Sequence, residues 1–299
     1  MSRARSVAIL CDICGGRSGA EVYNGPIRTG RFGSYTEEAH RVLKCTSCSS
    51  AFLESAPAVN YESVEYRRLV DGGSSVAAFR ELHDGEQVAK LKLLDIAALR
   101  GAVVADIGSG AGALLDLLRG VASRTIAIEP AQHYHEALRA GGHDVFHYCT
   151  DVPDELRGQV DLACCFSVIE HVEHPVAFLR DARRMLKPGG ELVLTTPNAN
   201  DWLLEVQPEA YGRFFYRVVH RWYLDAAAVR SVAGSAGFDV VDIGFLHRYD
   251  LANMIVWLRD GRPSGLGAIP VGRAADAAFC SWLEEAGRSD YLVARMKTK

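Results

Sequence analysis

The stretch Val103-Val104-Ala105-Asp106-Ile107-Gly108-Ser109-Gly110-Ala111-Gly112 decides the fold. A short apolar run bounded by glycines reads as a buried strand, and Ala113–Arg119 reads as the helix that follows it. Glycines between the two let the backbone turn tightly and approach a ligand, while the helix N-terminus offers unpaired N–H groups. Outward from this unit the alternation continues. Strands are expected at Thr125–Ile128, Val145–Tyr148, Val160–Phe166, Glu191–Thr196, Phe238–Phe245 and Asp290–Lys297. Helices are expected around Tyr134–Ala140, at Pro175–Leu186 before Lys187-Pro188-Gly189-Gly190, and at Asp225–Ala236 before Gly237. Strands alternating with helices argue for an α/β fold with a mostly parallel sheet covered on both faces.

The flanks read differently. Residues 1–55 are rich in glycine and cysteine, with short β-like pieces around Ile27–Thr29 and Arg41–Lys44. Residues 56–100 read as a helical linker or cap, with Glu86–Arg100 spaced as an amphipathic helix. Residues 101–299 form the main domain, carrying a helical insert over 247–289.

Composition narrows the class. Hydrophobic residues make up 48% and charged residues 23%, which excludes a wholly disordered chain. Lys plus Arg is 33 against 37 for Asp plus Glu, a net charge of −4, so nucleic-acid binding is not expected. The apolar stretch Val7–Leu10 is too short for a signal-peptide core, and no run is long enough to span a membrane. A cytoplasmic location is expected.

Glu129 closes the strand after the glycine loop, where a carboxylate can accept hydrogen bonds from both ribose hydroxyls of a nucleotide-like cofactor. Gly108-x-Gly110-x-x-Ala113 also satisfies a dinucleotide fingerprint, so the glycines alone leave NAD and S-adenosylmethionine both open. Asp106 separates them. A carboxylate beside the loop repels a pyrophosphate but suits a cofactor bringing an ammonium, a sulfonium and no phosphate.

At this point the chain resembles the class I S-adenosylmethionine-dependent methyltransferases. The resemblance rests on Val104–Gly112, Ile126-Ala127-Ile128-Glu129-Pro130, Phe166-Ser167-Val168-Ile169-Glu170-His171-Val172, Leu186–Gly190, Thr196-Pro197-Asn198 and Ala236-Gly237-Phe238, over about residues 85–299. It implies a Rossmann-like seven-stranded sheet whose last strand is antiparallel. Gly108, Gly110 and Gly112 would pass beside the methionine and ribose, Asp106 would organise the loop and the cofactor's amino group, and Glu129 would clamp the ribose. Asp151 would lie near the adenine, and Phe166 and Ser167 would line the methionine side and the opening to the acceptor.

Methyl transfer is an in-line displacement from an already activated sulfonium, so the protein supplies alignment and, where needed, a base. His171 and His220 are the base candidates, because histidine titrates near neutrality. Some related enzymes that methylate hydroxyls use a Glu-x-x-Glu-His metal site. Ser167 stands at its first Glu, leaving Glu170 and His171, and no catalytic metal is expected. The aromatic-rich stretch from Trp202 to Tyr223 is expected to face the acceptor.

Cys11, Cys14, Cys45 and Cys48 form two C-x-x-C pairs, the pattern of a small N-terminal zinc ribbon holding structural zinc. Cys149, Cys164, Cys165 and Cys280 lie in apolar segments and read as inert. The expected activity is S-adenosylmethionine-dependent methylation of a small-molecule acceptor: a sugar, nucleotide-sugar or specialised metabolite, at oxygen before carbon or nitrogen. The alternatives are an NAD-dependent oxidoreductase and a non-catalytic zinc-ribbon interaction protein.

Overall fold

The computed structural model describes residues 6–30 and 33–298, so the basic start Met1–Arg5 lies outside the described residues. The chain begins as an antiparallel meander of β1 (Ser6–Ala8), β2 (Ser18–Gly25), β3 (His40–Cys45) and β4 (Ala51–Leu53). One C-x-x-C lies between β1 and β2, the other at the turn from β3 to β4. The fifth strand of this sheet comes from far along the chain. β10 (Trp222–Tyr223) pairs with β4, setting Trp222 opposite Phe52 and Tyr223 opposite Ala51. Residues 27–29 form no strand; Arg28 makes isolated bridges to Tyr35 and Arg217 instead.

Two helices cross from the meander to the main sheet: α1 (Val64–Asp71), capped by Ser63, and α2 (Val76–Leu91), capped by Ser75. The helix expected over Glu86–Arg100 thus starts earlier and stops at Leu91. Past Leu91 the chain tightens into turns, Leu93 N–H donating to Lys90 O and Leu94 N–H to Leu91 O, and Asp95 Oδ1 then accepts from Ala97 and Ala98 N–H, which keeps the next residues out of a helix.

The main sheet contains β5 (Val103–Ile107), β6 (Arg124–Ile128), β7 (Asp144–Phe146), β8 (Val160–Phe166), β9 (Leu186–Pro197), β11 (Phe238–Leu246) and β12 (Tyr291–Thr298). Its order is β11-β12-β9-β8-β5-β6-β7, with β12 antiparallel to both neighbours and the others mutually parallel where they pair. β5 and β8 are almost wholly buried, as the uninterrupted apolar runs of a doubly covered parallel sheet require.

α3 (Ala113–Leu118), α4 (His135–Ala140), α5 (Pro175–Met185) and α8 (Ala226–Ala236) cover the faces. Pro175 begins α5, where its missing N–H costs nothing, and Gly237 at φ +87° ends α8. The aromatic stretch folds as α6 (Trp202–Val206) and α7 (Pro208–Phe215), packed against α9 (Leu251–Asp260), which with α10 (Arg273–Glu285) precedes β12. Cys11, Cys45 and Cys48 belong to the same hydrophobic cluster as Ile107, Leu194 and Trp222. The cysteine segment therefore shares its core with the main sheet.

Candidate active site

The glycine loop leaves β5 at its C-terminal end, where ligands bind in open parallel sheets. Gly108, Gly110 and Gly112 have φ of +81°, +54° and +84°, a region costly for residues with a Cβ. Space is limiting as well. A Cβ at Gly108 would come within 2.4 Å of Val168 Cγ2, and one at Gly110 within 2.2 Å of Phe79 on α2. The loop is stapled to the next strand by Gly108 N–H donating to Ile128 O (2.8 Å).

Glu129 is the second fastener. Its Oε2 accepts from Gly110 N–H at 2.7 Å and its Oε1 from Ala131 N–H at 2.9 Å, while Arg67 of α1 approaches Oε2 at 3.7 Å. Each carboxylate oxygen keeps a second lone pair for a ligand. Asp106 is buried at the end of β5; burial, opposed by Lys90 and assisted by Glu129, raises its pKa from 3.8 to about 6.

The other cofactor-side expectations land in different settings. Phe166 packs into the cluster with Leu94, Val104 and Val193. Ser167 adopts φ +58°, one of two non-glycine residues with positive φ among the described residues, and its Oγ lies 2.8 Å from Tyr291 Oη. Such strain concentrates at functional positions. Asp151 is exposed and its Oδ2 accepts from Tyr148 N–H, capping a short 3-10 turn.

Across the loop, Glu170, His171 and His220 place one ligand atom each within 4.8 Å of the others. His171 Nδ1 lies 2.7 Å from Val219 O; a carbonyl only accepts, so Nδ1 carries the proton and Nε2 keeps its lone pair. Burial and the Arg217 charge pull His171 down to about 3, against the lift from the Val219 carbonyl. The same causes drive buried His220 well below the ordinary histidine value. Burial therefore favours the neutral form of both rings.

Glu170 is the group that sequence reasoning left out of its base candidates. It is 1% exposed, its Oε2 accepts from Thr196 Oγ1–H at 3.0 Å, and its Oε1 is buried with no hydrogen-bond partner among the described residues. Burial raises it to about 7. Its signal in the sequence was adjacency to His171; its relation to His220 comes from Arg221 N–H and Trp222 N–H donating to the Glu170 carbonyl.

In the N-terminal turns, Cys11 Sγ lies 3.7 Å from Cys48 Sγ and Cys14 Sγ 3.6 Å from Cys45 Sγ, far beyond a disulfide bond of about 2.05 Å. Four sulfurs about 2.3 Å from a tetrahedral zinc would stand about 3.8 Å apart. Cys164 and Cys165 are buried in β8, where burial lifts both thiols far above their ordinary value. No helix among the described residues is long and apolar enough to cross a membrane.

Comparison with known proteins agrees with this geometry. Residues 82–243 match the family described as methyltransferase domain. The chain is similar to the ubiquinone biosynthesis O-methyltransferase of Pseudomonas paraeruginosa, 27% identical over 184 residues, covering 55% of this chain and 76% of the relative. It is also similar to the enzyme of the same name from Neisseria meningitidis, 29% identical over 199 residues, covering 60% and 82%. A SAM-dependent methyltransferase from Archaeoglobus fulgidus shares the fold: 16% identity, 78% of this chain and 98% of that one, TM-score 0.51. With the glycine loop, Glu129 and the seven-stranded sheet in place, the chain belongs to the methyltransferase-domain family and is an S-adenosylmethionine-dependent methyltransferase.

Proposed function

We propose that the enzyme methylates a hydroxyl of a small-molecule acceptor in the cytoplasm, a sugar, nucleotide-sugar or specialised metabolite, with Glu170 as the proton acceptor. The observation that carries this is the unpartnered, buried Glu170 Oε1 beside two neutral imidazoles. A carboxylate held near 7 is matched to removing a hydroxyl proton as the methyl arrives. Oxygen as the acceptor atom is further supported by the names of the similar O-methyltransferases.

On the cofactor side, Glu129 would hold the ribose hydroxyls, Asp106 the amino group, and Gly108, Gly110 and Gly112 the backbone passage. Asp151 would stand toward the adenine, with Phe166 packed behind Ser167 at the methionine end. His171 and His220 flank Glu170 and orient the acceptor. The four N-terminal cysteines would hold a structural zinc ion.

A second reading is favoured by the same three ligands. Two neutral imidazoles and one carboxylate suit a divalent transition metal, and the Val219 carbonyl and Thr196 hydroxyl fix ligand orientation as outer partners of metal sites do. Such an ion would lower the pKa of an acceptor hydroxyl.

The test is a turnover screen with S-adenosylmethionine and hydroxyl-bearing acceptors, with the methylated atom located by mass spectrometry and NMR. Glu170→Gln should lower kcat by about 100-fold or more at unchanged cofactor affinity. Methylation at nitrogen or carbon, or full turnover by Glu170→Gln, overturns the reading. A second metal equivalent per chain, beyond the one the four cysteines would hold, that disappears in His220→Ala selects the metal form.

A further inference from the structure

Among the described residues, two arginines beside this centre make no ion pair, and the one carboxylate whose charge reaches Arg217 is Glu170. Arg28, from the cysteine-bearing segment, and Arg217, three residues before His220, are held side by side by a parallel bridge. Arg28 N–H donates to Tyr216 O at 2.9 Å and Val218 N–H donates to Arg28 O at 3.0 Å, so both backbones are fixed. Both Nε atoms are buried without a hydrogen-bond partner among the described residues. Among the described residues neither guanidinium has an ion pair; Arg28 lies over the Phe214 ring at 4.2 Å. Burial and the neighbouring Arg217 charge pull Arg28 down from 12.5 to about 10, and tyrosines 35, 211 and 249 supply the remaining charge interactions. Phe214, Tyr211 and Tyr249 also line a small, partly open pocket with Trp257 and Met254.

Like charges kept together and partly desolvated destabilise the fold unless an anion joins them. Guanidinium groups present planar forks that match oxyanions. Two adjacent guanidinium forks offer a cation and parallel N–H donors to each charge of a phosphate monoester, where a carboxylate would engage only one fork. Both arginine charges act on His220, and Arg217 also acts on Glu170 and His171, so an anion seated here lies beside the transfer centre.

We infer that Arg28 and Arg217 form the subsite for a phosphate group carried by the methyl acceptor. This rests on the small-molecule hydroxyl reading above and narrows it to phosphorylated acceptors. It also gives the N-terminal segment a direct part in acceptor recognition.

Calorimetric titration with phenyl phosphate, benzoate and benzyl alcohol tests it on the full chain loaded with S-adenosylhomocysteine. Phenyl phosphate should bind the unaltered protein, and the Arg28→Gln/Arg217→Gln double variant should bind it at least about 10-fold more weakly. Benzoate should bind more weakly than phenyl phosphate, and Arg184→Gln, on α5 and ion-paired with Asp181, should behave as the parent. Arg28→Met should raise Tm without ligand, because it removes a like-charge contact. Phosphate affinity unchanged in the double variant, benzoate preferred over phosphate, or Arg28→Met losing stability would each overturn the inference. The titration needs no turnover, so its failure stands apart from that of the hydroxyl reading, which is judged by the methylated product.

Discussion

Replacing Glu129 with Gln changes one atom yet removes two functions. The carboxylate accepts from two backbone donors, Gly110 N–H and Ala131 N–H, on separate oxygens. A carboxamide offers one oxygen, so whichever way it turns, one buried N–H faces an NH2 group. A buried donor left unsatisfied costs roughly 1–3 kcal/mol, and weakening the surviving bond from charged to neutral costs about 1 kcal/mol more. The expected loss is roughly 2–4 kcal/mol, a fall in Tm of about 3–6 °C for a chain of 299 residues. Arg67, 3.7 Å from Oε2, also loses its countercharge. Cofactor affinity should fall further, by about 10–100-fold, because a ribose clasp needs two acceptors on one side chain. Thermal melts with and without S-adenosylhomocysteine, with calorimetric Kd values, separate the two losses. A Glu129→Gln protein with parental Tm and parental Kd would refute both.

Three further outcomes follow from the same geometry. Gly108→Ala must hold a Cβ at φ +81° and 2.4 Å from Val168 Cγ2, so it should lose roughly 2–5 kcal/mol and most cofactor affinity; Gly108→Ala/Val168→Ala should recover part of the packing loss, and a neutral single variant would contradict the loop geometry. Stripping metal with a chelator, or Cys45→Ser, should lower Tm and release about one zinc per chain by elemental analysis; a zinc-free protein of undiminished stability would refute the zinc reading. Asp106 has a folded pKa raised from 3.8 to about 6, so its contribution to stability is full below pH 4 and fades as pH rises to 6, by roughly 3 kcal/mol. A cationic ligand favours the ionised form, so S-adenosylmethionine affinity should climb from pH 5 to 7 and then level off; a flat profile by calorimetry would remove Asp106 from the site.

The parts legible in the sequence were those written in short runs. The glycine loop, Glu129 and the paired cysteines each announce a local geometry, and the strand–helix alternation follows from buried apolar runs. What depended on distant residues meeting was not legible. Glu170 and His220 come together only through backbone bonds from Arg221 and Trp222, and Arg28 meets Arg217 across a bridge that no periodicity signals. Intrinsic pKa makes the histidines base candidates; burial, which a sequence does not display, drives both down and lifts Glu170. The helix placed over Glu86–Arg100 ran too far because the apolar spacing persists through the Asp95 turn.

The pairing of β10 with β4 couples the two halves of the molecule mechanically. Three residues after Cys48 the chain enters Ala51–Leu53; Phe52 faces Trp222, and Trp222 N–H donates to the Glu170 carbonyl at 3.1 Å. An oxidant or thiol-seizing metal that distorts the cysteine turns would therefore be felt at Glu170 through a handful of bonds. Neither half can be traded for a foreign counterpart without rebuilding that seam.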